Sequence, residues 1–274
     1  GYARISGKTG VCIVTSGPGA TNLLTGIATA YMDSIPLVAF TGQVPSHLLG
    51  RDIFQEVDIT GAASAFSKHS YLVKDAAELP RIISESFHIA STGRPGPVLI
   101  DVPIDVQEQV VFDPVFPEEV NIRGYHPSVR GNDKQITHVV NAIATAQRPV
   151  ICAGGGVFLS NALLELETFA ARTRIPVVTT MMGLSLLPTD HPLNMGMIGT
   201  HGNACANKAL AKADLLIMIG TRAADRAIFS PQEIQRRMPS ILTWTRRRLG
   251  RTSRQRFPWW AMSGSFFNSC WSGT

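Results

Sequence analysis

Several kinds of residue are scarce in this sequence, and each scarcity removes a class of protein. Its four cysteines, Cys12, Cys152, Cys205 and Cys270, lie far apart, with no Cys-x-x-Cys pair and no histidine at zinc-ligand spacing. No structural metal is expected, and Cys12, Cys152 and Cys205 read as reduced core or near-core thiols. No apolar run approaches the ~20 residues that cross a bilayer. The chain opens at Gly1 without Met and without a charged-then-apolar leader, so the expectation is a cytoplasmic protein with no membrane partner, whose true start lies upstream. No repeat of solenoid length is visible.

An excess of positive charge is absent until late in the chain. Residues 1–226 hold 17 Lys/Arg against 19 Asp/Glu, whereas residues 227–274 hold eight Arg against Glu233 alone. The net +5 is therefore a property of the last segment, which contains all four tryptophans (Trp244, Trp259, Trp260, Trp271) and no lysine. A basic segment interleaved with aromatics is one form of nucleic-acid arm. A second explanation emerges below, and no nucleic-acid partner is expected.

The 274 residues could form one large domain or two ordinary ones. Two are expected, because a strand-helix alternation stops near Asp105 and another starts near Asp133. In the first, Val11 to Thr15, Leu37 to Thr41 and Val98 to Val102 are short runs rich in β-branched residues, as in strands covered on both faces. Ala20 to Tyr31 and Leu79 to Ser91 read as helices, and Gly50 to Asp58 as a loop. Asp113 to Asn132 reads as a linker. Asp133 can cap a helix whose stripe is Ile136, Val139, Val140 and Ile143. A strand from Pro149 to Ala153, a helix from Ser160, a strand from Pro176 to Thr180, a helix near Asn203 to Lys212 and a strand from Asp214 to Ile219 follow. The fold class is α/β, two doubly wound parallel-sheet domains, which in such folds bind ligands at the C-terminal ends of their strands.

Taken alone, the candidate binding residues are ambiguous. Gly154-Gly155-Gly156 after a strand lets backbone N–H groups approach a phosphate, yet Leu159 stands where a third fingerprint glycine would be, and a plain tight turn is an equal reading. Arg94 could cap a helix C-terminus, and Arg222 and Arg226 could be surface cations.

Four motifs in order change this: Ser16-Gly17-Pro18-Gly19, Gly42-Gln43-Val44-Pro45, Phe54-Gln55-Glu56 and Gly93-Arg94-Pro95-Gly96-Pro97. With them the chain, over roughly residues 1 to 242, resembles the large catalytic subunit of acetolactate synthase, a thiamine-diphosphate enzyme that also carries FAD. The resemblance implies residues 1–112 as a pyrimidine-binding domain truncated at its start, 113–132 as linker, 133–242 as the central FAD-associated domain and 243–274 as an out-of-frame tail. It implies thiamine diphosphate, Mg2+ and FAD as cofactors, pyruvate and 2-oxobutyrate as substrates, a homodimer or homotetramer, and a small regulatory subunit. Thiamine then supplies a carbanion that attacks pyruvate, loses CO2 and adds to a second 2-oxo acid.

Residue by residue, the resemblance puts Gln55 near the thiamine, Phe54 near substrate and Pro45 at the mouth of the substrate channel. It assigns FAD contacts to Arg94, Gly154, Gly155, Gly156, Thr180, Met181, His201, Gly220, Arg222, Asp225 and Arg226, whose arginine forks and backbone donors suit a pyrophosphate. No metal ligand falls in the chain. The family's ylide-promoting glutamate lies upstream of Gly1, and its diphosphate and Mg2+ site lies in a third domain, so the chain alone is expected to be inactive. Thr200, Ala224 and Ile104 depart from the family's usual Met, acid and Lys. A sister carboligase or decarboxylase, of the glyoxylate carboligase or oxalyl-CoA decarboxylase kind, and a non-catalytic nucleotide-binding module are the alternatives. Phe54-Gln55-Glu56 and Lys68-His69 favour the first reading.

The tail has its own explanation. A family-like Asp-Pro-Ala-Glu-Ile-Gly-Lys-Asn, read one nucleotide late, becomes Thr-Arg-Arg-Arg-Leu-Gly-Arg-Thr, which is Thr245 to Thr252. The same shift accounts for Phe257 to Ser263 and for Ser265 to Ser272. The frame is therefore expected to slip near Leu242 or Thr243, leaving a tail that packs poorly and a second domain with an exposed sheet edge.

Overall fold

The computed structural model describes residues 1–127, 131, 133–222 and the strand at 240–244. Two compact units divide at Pro127/Ser128. Residues 113–127, expected as linker, cluster with the first unit, where Ile122 and Tyr125 pack against its core.

In the first unit the strands are β1 (Gly10–Val14), β2 (Leu37–Gln43), β3 (His69–Leu72) and β4 (Pro97–Pro103), all parallel in the order β1-β2-β4-β3. The helices are α1 (Tyr2–Ser6), α2 (Pro18–Asp33), α3 (Ile59–Ala63), α4 (Leu79–Ser91) and α5 (Ile104–Gln107). Every residue of β4 is buried. The two-residue alternation of a strand distributes them: Val98, Ile100 and Val102 meet Ile82 and Ile89 of α4, whereas Leu99 meets Ile27 of α2 and Ile59 of α3. Helices on both faces make the sheet doubly wound. Strands β1, β2 and β4 fall where the apolar runs place them. β3 was not foreseen, because His-Ser-Tyr-Leu is half polar and its pairing with Val98 to Asp101 of β4 is what makes it a strand.

In the second unit the strands are β5 (Pro149–Ala153), β6 (Val177–Thr179), β7 (Asn194–Met197), β8 (Leu215–Ile219) and β9 (Ser240–Trp244), parallel in the order β7-β6-β5-β8-β9. The helices are α6 (Asp133–Thr145), α7 (Gly156–Leu159), α8 (Leu163–Thr173) and α9 (Ala204–Lys212). Ile151, Ile217 and Ile219 pack with Ile136 and Val139 of α6 and Leu166 and Phe169 of α8; Cys152, Leu216 and Met218 pack with Ala206 and Leu210 of α9.

Three expectations change here. Val140 is exposed, so the stripe of α6 is Ile136, Val139 and Ile143. The helix expected from Ser160 starts at Leu163, because Asn161 takes a left-handed φ of 52° and separates it from the short turn of α7. The sheet does not end at β8, the last strand expected from the sequence: β9 pairs with it from Leu215↔Ser240 to Ile219↔Trp244 and so runs two residues into the segment assigned to the tail. Ser-Ile-Leu-Thr-Trp has strand chemistry on either side of the proposed slip. The remaining tail expectations fall on residues 245–274, outside the described residues. Among the described residues no helix is long and apolar enough to cross a membrane.

Candidate functional site

In the first unit all strands are parallel but the chain reverses its progression across the sheet: it steps from β1 to β2, passes over the place of β4 to β3 and returns to fill β4 between β2 and β3. Such a switch point, at the C-terminal ends of parallel strands, is where open α/β sheets place ligands. The same sheet face that is apolar at Ala39 and Leu99 becomes polar here. Thr41 Oγ1 donates to Asp101 Oδ1 at 2.6 Å, Gln43 Nε2 donates to Asp101 Oδ2 at 2.9 Å, and all three side chains are buried. Sequence reading passed over this group. The available signal was an aspartate inside the buried run Leu-Ile-Asp-Val, since such a carboxylate needs donors.

The loops that leave this edge carry Pro45, Phe54 and Gln55. Pro45 is half-buried before a short turn, and Ser46 beyond it donates its N–H to Asp105 at 2.9 Å. Phe54 is 89 % exposed, so it is not part of the apolar core of this unit. Gln55 is exposed and takes φ 62°, a left-handed conformation unfavourable for a side-chain-bearing residue. Its backbone lies directly on Gly17 of the Ser-Gly-Pro-Gly motif, where an added Cβ would come within 2.8 Å of Gln55 Cβ. Two of the motifs are thus one contact.

Burial pushes the Asp101 carboxyl up to about 6, with Asp58 adding repulsion and the bonds from Thr41 and Gln43 acting in the opposite direction. An acid whose pKa is higher folded than unfolded (~3.9) contributes most stability below about pH 4, and that contribution is lost as pH rises towards 6. Asp101→Asn should therefore exceed the parent chain in stability above pH 6, by on the order of 1–3 kcal/mol, the advantage shrinking towards pH 4. Thermal melts between these pH values check it. A less stable Asn variant at neutral pH would mean that hydrogen bonds to the ionised form outweigh burial.

Arg94, assigned by resemblance to FAD, is engaged within the first unit. Its Nε donates to Ser34 Oγ at 2.7 Å, its Nη2 donates to the Tyr31 and Met32 carbonyls at 3.0 and 3.2 Å, and the guanidinium lies 5.6 Å from the centre of the Tyr31 ring. It caps the C-terminus of α2, where carbonyls lack helical partners and a cation is favoured. Helix capping, the alternative reading of Arg94, is what the contacts show, although the helix is not its own.

In the second unit the switch point lies between β5 and β8, because the chain passes from β5 to β6 and β7 on one side and then to β8 and β9 on the other. Gly154, Gly155 and Gly156 follow β5, Thr180 and Met181 follow β6, His201 follows β7, and Gly220 and Arg222 follow β8, so all leave the same edge of one sheet. Asp225 and Arg226 lie outside the described residues. The glycines interlock these loops: a Cβ on Gly154 would lie 2.6 Å from Gly220 O, one on Gly155 3.0 Å from Met182 Cβ, and one on Gly220 2.7 Å from Val157 N. Gly156 N donates to Gly220 O at 3.0 Å. Close backbone packing is therefore their first role. Met181 and His201 are exposed and Arg222 is half-buried. Thr221, which sequence reading did not single out, is 2 % exposed, and among the described residues its Oγ1 has no hydrogen-bond partner. The Arg222 guanidinium is a group that could hold a pyrophosphate at this edge.

Residues 1–62 match the thiamine pyrophosphate enzyme N-terminal TPP binding domain and residues 136–247 match the thiamine pyrophosphate enzyme central domain. The acetolactate synthase of Arthrospira platensis is 50% identical over 230 residues, which are 82% of this chain and 40% of that protein. The acetolactate synthase large subunit of Corynebacterium glutamicum is 50% identical over 226 residues, 82% of this chain and 36% of that protein. A probable acetolactate synthase large subunit of Methanocaldococcus jannaschii is 50% identical over 228 residues. The chain spans about 40% of the length of these curated relatives. With two parallel sheets matching the two domain types in order, the chain belongs to the thiamine pyrophosphate enzymes, in the family of the acetolactate synthases.

Proposed function

We propose that this chain is part of an acetolactate synthase catalytic subunit, which condenses two pyruvates, or pyruvate and 2-oxobutyrate, with loss of CO2 in branched-chain amino-acid synthesis. The observation that carries the reading is half-identity to acetolactate synthases across 82% of the chain, a stretch that includes the exposed Phe54 and the left-handed Gln55. Thiamine diphosphate, when bound, supplies the carbanion chemistry, while the protein orients the reactants and excludes water. Gln55 offers an amide that can donate and accept next to the thiamine, Phe54 an apolar face for the methyl group of pyruvate, and Pro45 a rigid wall of the channel. Gly154, Gly155, Gly156, Thr180, Met181, His201, Gly220 and Arg222 would hold FAD, with Asp225 and Arg226 added by the resemblance. The resemblance also assigns Arg94 to FAD. In this reading the protein is cytoplasmic, uses Mg2+, is a homodimer or homotetramer, and works with a small regulatory subunit.

A purified chain of these 274 residues should form no acetolactate from pyruvate with thiamine diphosphate, Mg2+ and FAD, because in this reading the groups that the family uses to generate the carbanion and to grip the diphosphate lie outside these residues. Turnover above background would overturn that placement. The activity itself is tested by exchange: residues 1–242 replacing the matching stretch of the C. glutamicum large subunit should give a chimera that makes acetolactate. A folded chimera that binds thiamine diphosphate yet consumes no pyruvate would sink the reading.

A further inference from the structure

Three sets of contacts converge on the loop that follows β2. The first closes it on itself: the Glu56 carboxylate accepts from the N–H of Gly50 and, at 3.2 Å, from that of Ile53, while Glu56 N donates to Ile53 O at 3.0 Å. These amides hold the Glu56 carboxyl below its usual range, the Gly50 amide most of all. The second seats it: Gly17, itself at φ 56°, leaves the space that Gln55 occupies, and a Cβ there would lie 2.9 Å from Gln55 O. The third ties it to the central strands. Gln43 Nε2 has two hydrogens and two acceptors, Asp101 Oδ2 at 2.9 Å and Val57 O at 2.8 Å, while its Oε1 accepts from Val44 N at 2.9 Å. Asp101 is fixed in turn by Thr41, its register partner across β2 and β4.

An amide is what this position requires. A carboxylate there would face the Asp101 carboxylate and the Val57 carbonyl with no hydrogen to give, and an apolar side chain would leave both buried acceptors unpaired. Val57 is two residues from Gln55, whose left-handed backbone persists only where its surroundings over-determine it. We propose that Gln43 is a positioning residue, which holds the Phe54–Gln55 loop through the Val57 carbonyl while Asp101 orients its amide and Gly17 seats Gln55. That the loop addresses a substrate rests on the function proposed above; the clamp is read from contacts alone.

The test is amide hydrogen exchange in the whole chain for Gln43→Met, which keeps length and loses every bond, and for Gln43→Glu, which keeps shape and loses the donors. At pH 7.5 both should exchange the amides of Gly50, Ile53 and Glu56 about tenfold faster or more, the effect of losing one or two net hydrogen bonds. Exchange in α4 and in β5 should stay as in the parent chain. Acidification should restore protection in Gln43→Glu, where a protonated carboxyl can donate again, and not in Gln43→Met, a difference that a space-filling role would not produce. Unchanged loop exchange in either folded variant, or equal loss of protection across α4, would overturn the proposal. So would failure of both variants to fold, since Gln43 would then support the whole unit and not the loop. If the chimera above is inactive while the exchange pattern is as described, the functional reading falls and the clamp stands.

Discussion

Gly154→Val should disrupt the second sheet at its centre. A Cβ at this position would lie 2.6 Å from Gly220 O, 2.8 Å from Thr221 Cγ2 and 2.9 Å from Thr221 Cα, so backbone and not a flexible side chain would have to move. The backbone is held on both sides: Gly154 N donates to Ile219 O of β8 at 2.9 Å, and on the β6 side Thr180 N donates to Ala153 O at 3.0 Å. The expected loss is about 3 kcal/mol or more, at the upper end of overpacking costs. Exchange of β5 and β8 amides measures it, with strands β1 to β4 as an internal control. Gly26→Ala supplies the contrast. Gly26 lies inside α2 with open space around its missing side chain, and alanine there should stabilise the first unit by about 0.5–1 kcal/mol. Equal effects from the two substitutions would refute the reading of Gly154 as a packing glycine.

Ile100→Ala should destabilise the first unit by about 2–5 kcal/mol. Ile100 is fully buried in the central strand β4, among Val38, Ile82 and Ile89, with β2 and β3 hydrogen-bonded on either side. Neighbours held by two ladders cannot collapse into the cavity, which places the cost in the upper half of that range. Urea unfolding followed by exchange of β4 amides reads it. Ile13→Ala, at a position 77 % exposed on the edge strand β1, should change stability far less. Comparable losses at both positions would mean that the sheet is not the core of this unit.

Much of this could be read in the chain because strands buried on both faces leave little freedom of composition. Val11 to Val14, Leu37 to Thr41, Val98 to Val102, Pro149 to Ala153 and Leu215 to Ile219 are apolar runs with turn residues after them, and each is a strand. β3 and β7 were missed for the opposite reason: His-Ser-Tyr-Leu and Asn-Met-Gly-Met carry little periodicity, and only pairing with β4 and β6 makes them strands. The candidate site divides in the same way. Motif order named Pro45, Phe54, Gln55 and the glycine run. It could not show that Gly17 exists to admit Gln55, or that Gly154 exists to admit Gly220, since those pairs are far apart in sequence and meet only when the loops are side by side.

The sequence by itself determined the fold class, the division into two domains and the family, because hydrophobic period and motif order are local properties that survive without neighbours. The tertiary structure alone decided what individual polar groups do. Arg94 became the cap of α2, and Asp101 and Gln43 became the tie between two central strands and a loop. A hydrogen bond is fixed by an approach of about 3 Å between groups that may be 60 residues apart, as Thr41 and Asp101 are, and no local pattern encodes that distance.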